Sequence, residues 1–118
     1  MNSRMTKGAP GFSHWWAQRI SAIALIPLSL WFAASLIAHA GADRAALKLW
    51  LSSPLFAVLL LLTLGATIHH GVLGLEEVIV DYVHRPGCRI ASIIFVRLAG
   101  VVLAAMSLYA VLRLALGA

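Results

Sequence analysis

Acidic side chains are nearly missing from this sequence: 4 of its 118 residues are Asp or Glu, charged residues of both signs make up 11%, and there is one cysteine. A soluble domain is about 25% charged, so a shortage on this scale excludes an ordinary water-facing surface. The lone thiol, Cys88, excludes an intrachain disulfide, and by itself it lacks the ligand spacing of a zinc or iron–sulfur site. It reads as an inert loop thiol. Flavin motifs are absent, and so is any basic stretch interleaved with aromatics of the kind that binds nucleic acid. The net charge of +5 is instead the loop charge expected of a membrane protein.

Apolar residues dominate, at 62% of the chain with a mean hydropathy of +0.95. Uncharged stretches cover residues 20–42 and 49–75, and a third runs from Arg89 to about residue 116, interrupted by Arg97 and closed by Arg113. Each is long enough to cross about 30 Å of hydrocarbon at about 1.5 Å per residue. The expected fold is therefore an all-α integral membrane protein, a single anchor domain with helix 1 over about 17–42, helix 2 over about 48–76 and helix 3 over about 89–116. No length remains for a soluble catalytic domain.

Ala38-His39-Ala40 has the small-x-small look of a cleavage site. The apolar stretch before it exceeds the about 7–15 residues of a signal-peptide core, so helix 1 is expected to be retained. Residues 1–11, with two glycines and Pro10, read as a mobile leader. With three spans, the N-terminus and the loop between helices 2 and 3 share one side, carrying Arg4, Lys7, Arg19, Arg85 and Arg89. The other side carries Arg44, Lys48 and Arg113. The positive-inside bias puts the N-terminus in the cytoplasm. Trp15, Trp16 and Trp50 fall at the span boundaries as interfacial anchors. Pro27 removes a backbone donor inside helix 1 and favours a kink there, and small residues around it, Ser21 among them, allow a second helix to approach closely.

The chemistry is concentrated between Thr67 and His84. An ionisable side chain at membrane depth marks a functional site by default, because it is costly there. Neighbouring helix residues diverge by about 100°, so of His69 and His70 one faces a site while the other packs or hydrogen-bonds. His70 has Gly74 one turn on, leaving a flat slot against which a porphyrin can lie. His69 has Gly65 one turn before it, so spacing leaves both open. Asp81 and Tyr82 follow what reads as the helix's end, about 17 Å along the axis from His70 and within about 20° of its face if the helix continues. A phenol hydroxyl at the interface can hydrogen-bond a quinone carbonyl, and a carboxylate beside it can relay protons. The structural alternative is an interfacial aromatic and a helix-end charge. Glu76 and Glu77 read as solvated charges, Arg97 as a snorkelling cation with no carboxylate on its own helix, and His39 as structural.

The segment HWWAQRISAIALIPL at residues 14–28, together with His70-x-x-x-Gly74 and Asp81-Tyr82 eleven residues after His70, resembles the hydrophobic membrane anchors of succinate dehydrogenase (respiratory complex II), the D or cytochrome b small subunit. That resemblance covers nearly the whole chain. It implies that His70 is one axial ligand of haem b, the other coming from a second anchor subunit, and that Tyr82 lines the ubiquinone site with Asp81 beside it. It also implies that Arg19 works near the haem propionates and the quinone pocket, where a guanidinium suits a carboxylate; a snorkelling boundary role for Arg19 stays open. The implied partners are the flavoprotein, the iron–sulfur subunit, the second cytochrome b anchor and membrane lipid, in a bacterial cell inner membrane. The resemblance assigns no role to His69, and His14 has no independent physical role. The rival readings are the other anchor (C), a fumarate reductase anchor, a small multidrug-type transporter and a cofactor-free assembly protein. The Asp-Tyr pair argues for D, and residues 20–42 lack the carboxylate that the transporter needs.

Overall fold

A computed structural model describes residues 10–117, with the side chains of Pro10, Phe12 and His14 left outside the description. Among the described residues there are four helices and no strand: α1 (Pro10–Ala38), α2 (Arg44–Leu51), α3 (Pro54–Tyr82) and α4 (Pro86–Ala115). Three helices are long and apolar enough to cross a membrane, the span in α1 being Trp15–Ala38 and the other two the whole of α3 and α4. The expected all-α, three-span architecture is therefore present. The expected leader lies outside the described residues as far as residue 9, whereas Pro10 and Gly11 are already helical.

The helix ends differ from the expected ones because charged positions served as boundaries, and helices outlast the hydrocarbon they cross. Helix 1 stops at Ala38 rather than near 42, where the chain turns through Gly41 at φ +80°, a left-handed conformation that suits glycine. It runs without interruption through Pro27. Residues expected to open helix 2 form the separate helix α2, N-capped by Asp43, whose carboxylate accepts a hydrogen bond from the Ala46 N–H at 2.9 Å. After Ser52 and Ser53, Pro54 opens α3 at a position where its missing N–H costs nothing. Glutamates at 76 and 77 do not end α3, since Glu is a good helix former, and the helix continues to Tyr82. Pro86 then opens α4 at once, its predecessor Arg85 being extended at φ −71°, ψ 123°.

α3 is the middle of the molecule, packing on α1 along one side and on α4 along the other, while α2 folds back against α3 and α4. The short helix forms a corner in which the Trp50 ring stacks on Trp31 at 6.0 Å and lies 4.3 Å from His39. His39 also has its Nδ1 at 2.9 Å from the Ser35 carbonyl, which gives it the structural role expected of it. Arg44 and Arg113 line one pocket, so α2 and the end of α4 sit at one end of the bundle, as the three-span topology requires.

The chain has little core of its own. Among the described residues Leu51 and Val111 are the buried hydrophobics, and large side chains such as Leu30, Ile37 and Phe95 are exposed. In lipid such a surface is at home, and helix association must come from close packing and polar contacts. Gly100 shows the first of these: a Cβ there would lie 2.6 Å from Val72 Cγ2 on α3. Val72 is β-branched and stiff at χ1, so it has little room to yield. Gly100→Val is expected to separate α3 from α4 and destabilise the fold by about 1–3 kcal/mol, the usual penalty of overpacking. Thermal unfolding in detergent reads this out, with Val72→Ala in the same chain restoring most of the loss.

Candidate functional site

α3 directs its two central histidines to opposite neighbours. His70 faces α1, where its Nδ1 lies 2.9 Å from Ser21 Oγ, and Ser21 Oγ in turn donates to the Gln18 carbonyl at 3.0 Å. Ser21 is buried and His70 half-buried. His69 faces the other way and lines a groove of about 510 Å³ between α3 and α4, together with Gly65, Glu76, Arg97 and Gly100. The ambiguity that spacing left open is thus resolved as to direction: each histidine has its own interface.

Gly74 does not stand open as a flat slot. A Cβ at this position would meet the Gln18 Nε2 at 3.8 Å, so the α1 amide already packs over it. The Gln18 Oε1 is buried without a hydrogen-bond partner.

Glu76 and Arg97 also differ from expectation. Glu76 is buried rather than solvated, and Arg97, expected to snorkel without a partner, reaches it across the α3–α4 interface. Arg97 Nε donates to Oε2 at 2.7 Å and Nη2 to Oε1 at 3.1 Å, a bidentate fork of the strong, charge-assisted kind. Arg97's own helix offers no carboxylate, and the partner comes from the neighbouring one.

At the other end of the site, Asp81 and Tyr82 occupy the last turn of α3 instead of following it, and both are exposed, Tyr82 at 77%. Twelve residues of helix place Tyr82 about 18 Å along the axis from His70. The turn below them is fastened by Arg89, a residue whose sequence position suggests only a loop cation. Its Nε donates to the Val83 carbonyl at 3.0 Å and its Nη2 to the Val80 carbonyl at 3.2 Å, capping the helix C-terminus with charge of the favourable sign. Arg19 lies on α1 one residue from Gln18, exposed, with its guanidinium 5.2 Å above the Trp15 ring. It therefore sits in depth between His70 and the Asp81–Tyr82 turn, and touches neither in the described contacts. Among the described residues no group of three or more His, Cys, Asp or Glu could hold a metal ion.

The family model for the succinate dehydrogenase/fumarate reductase transmembrane subunit matches residues 2–104 of this sequence. The chain belongs to that family. Similar proteins include the succinate dehydrogenase hydrophobic membrane anchor subunit of Rickettsia bellii, 34% identical over 88 residues, which are 75% of this chain and 70% of the relative. The protein of the same description from Rickettsia prowazekii is 31% identical over 97 residues, 82% of this chain and 76% of its own length. The succinate dehydrogenase membrane anchor subunit of Reclinomonas americana is 31% identical over 90 residues, 74% and 75% of the two chains. No solved structure matches. Membership of this family of transmembrane subunits agrees with three spanning helices and with the absence of a soluble domain among the described residues. The transporter reading is set aside on the same grounds.

The Glu76–Arg97 fork within this membrane anchor carries its own test. Arg97→Leu removes a charge-assisted fork from a buried carboxylate and is expected to destabilise the assembled protein by about 1.5–3 kcal/mol, the usual worth of hydrogen bonds to a charged group. Glu76→Leu/Arg97→Leu together should recover much of that loss, because two apolar groups replace the pair. A double-mutant cycle on thermal unfolding measures the coupling.

Proposed function

We propose that this chain is the small haem-bearing anchor of a succinate:quinone oxidoreductase, the D-type subunit, set in a bacterial inner membrane with its N-terminus and the α3–α4 loop in the cytoplasm. It tethers a flavoprotein and an iron–sulfur subunit, and it pairs with a second cytochrome b anchor. The observation that carries this reading is the state of His70: a single half-buried imidazole at membrane depth whose Nδ1 is occupied by Ser21, leaving Nε2 as the nitrogen for a metal. One such ligand per chain would suit haem b, a macrocycle that brings its own four nitrogens: His70 would hold it from this chain and the partner anchor would hold it from the other side. When bound, haem supplies a one-electron carrier whose potential the protein tunes through axial ligand and burial.

Succinate oxidation belongs to the other subunits, and two electrons with two protons then convert ubiquinone to the quinol near the cytoplasmic end of α3. Tyr82 donates its phenol hydrogen bond to a quinone carbonyl oxygen, which orients the ring and polarises the carbonyl toward reduction. Asp81, the adjacent residue, passes protons from the cytoplasmic side. The exposure of both side chains fits a pocket completed by partner subunits. Arg89 holds this turn in place through the Val80 and Val83 carbonyls. Arg19, at intermediate depth, is the cation available to a propionate or to the quinone pocket.

Two experiments on the purified complex test these roles. His70→Ala is expected to abolish haem b while His69→Ala retains it, read by pyridine haemochrome; the reverse pattern would move the ligand to His69. Tyr82→Phe is expected to lower quinone reduction at least about 10-fold, the worth of roughly 1.4 kcal/mol of binding or transition-state stabilisation. Succinate-to-dye activity should stay normal. Unchanged quinone reduction would remove Tyr82 from the site.

A further inference from the structure

The Ser21 hydroxyl makes two contacts with one proton. It lies 3.0 Å from the Gln18 carbonyl and 2.9 Å from His70 Nδ1. A carbonyl only accepts, so the hydroxyl proton must go to Gln18 for that contact to be a hydrogen bond. The contact to Nδ1 is then a hydrogen bond only if the ring nitrogen donates. One assignment satisfies both: His70 carries its proton on Nδ1 and leaves the Nε2 lone pair free. Were Ser21 to donate to Nδ1 instead, the contact with Gln18 would be two acceptors facing each other in a buried, water-poor interface. Ser21 is 7% exposed, so water is not at hand to relieve such a mismatch.

We propose that Ser21 is a positioning residue for haem ligation: through its bond to Nδ1 it selects the tautomer of His70 and fixes the ring so that Nε2 is the iron-binding nitrogen. This rests on the reading of His70 as the axial ligand. The arrangement is the membrane counterpart of the outer-shell acceptor that ligating histidines use in soluble metal sites, where its loss costs 10–100-fold in affinity. Here the acceptor belongs to α1 and the ligand to α3, so the same bond ties the ligand's orientation to the packing of the two helices. The backbone carbonyl of Gln18 completes the relay by holding the hydroxyl with its lone pairs toward the ring. The sequence alone suggests only a packing role for Ser21, as a small residue.

The test uses the whole complex isolated in detergent, carrying Ser21→Ala or Ser21→Cys in this chain. The first variant removes the acceptor with some volume, and the second replaces it with a weaker acceptor of slightly greater volume. Haem retention under dilution and the haem midpoint potential are measured on both, with His70→Ala as a separate comparison. Both Ser21 variants are expected to lose haem about 10–100-fold more readily. Both should also move the midpoint potential upward, because an imidazole without its Nδ1–H acceptor gives less electron density to the ferric ion. A potential unchanged in both variants, or shifted in opposite directions as side-chain volume would dictate, overturns the positioning role. Should one variant fail to assemble, the other decides by the same criterion. The two readings fail differently: haem retained in His70→Ala removes the ligand assignment itself, whereas haem lost there with wild-type behaviour in both Ser21 variants removes this inference alone.

Discussion

A polar group inside hydrocarbon has no water to turn to, and that constraint organises this molecule. Each such group must find its partner within the chain, in another subunit or in a bound cofactor. The described spans show the first solution repeatedly. The buried Thr63 hydroxyl returns to the Leu59 carbonyl of its own helix at 2.8 Å, Ser21 bridges α1 to α3, and Glu76 is neutralised by Arg97 from α4. Because the described residues include almost no buried apolar core, these contacts and the close approach at Gly100 carry much of how the three helices meet.

The central position of α3 follows from the same rule. It carries a polar device on each face: His70 toward α1, and Glu76 with the His69-lined groove toward α4. A helix that must serve two interfaces cannot be turned without breaking one of them, so the direction of His70 is fixed by contacts on the far side as well as by its own bond. The run from His70 to Tyr82 is one continuous helix, and the two candidate sites are therefore held at a set separation along a single rigid element. Arg89 secures its end, where fraying would otherwise loosen the Asp81–Tyr82 turn.

Much of this was legible in the sequence, for reasons that differ by residue. Three long apolar runs reveal three spans, since length and hydrophobicity alone decide membrane crossing. His70 and the Asp81-Tyr82 pair stand out because polar side chains in such runs are rare. Helix ends differ where charge stands in for a boundary: Glu76 and Glu77 suggest an end that comes only at Tyr82, where Val83 turns extended, and Asp43 is the cap of a short separate helix. Pairings across helices were the part the sequence withheld. Arg97 is 21 residues from Glu76 and Ser21 is 49 from His70, and no helical period links positions on different elements. The available signal is the oddity itself: an arginine and a glutamate each within reach of the bilayer imply a partner.

The haem-holding role proposed for this chain turns on which nitrogen of which histidine would be given over to the metal. An electron cryo-microscopy map of the intact complex, purified with its cofactor from membranes, examines this directly. The iron is expected within bonding distance of His70 Nε2, with Nδ1 still on Ser21 Oγ and the second axial imidazole coming from the partner anchor. Iron bound through His69 in the α3–α4 groove, or haem seated with no ligand from α3, would contradict it.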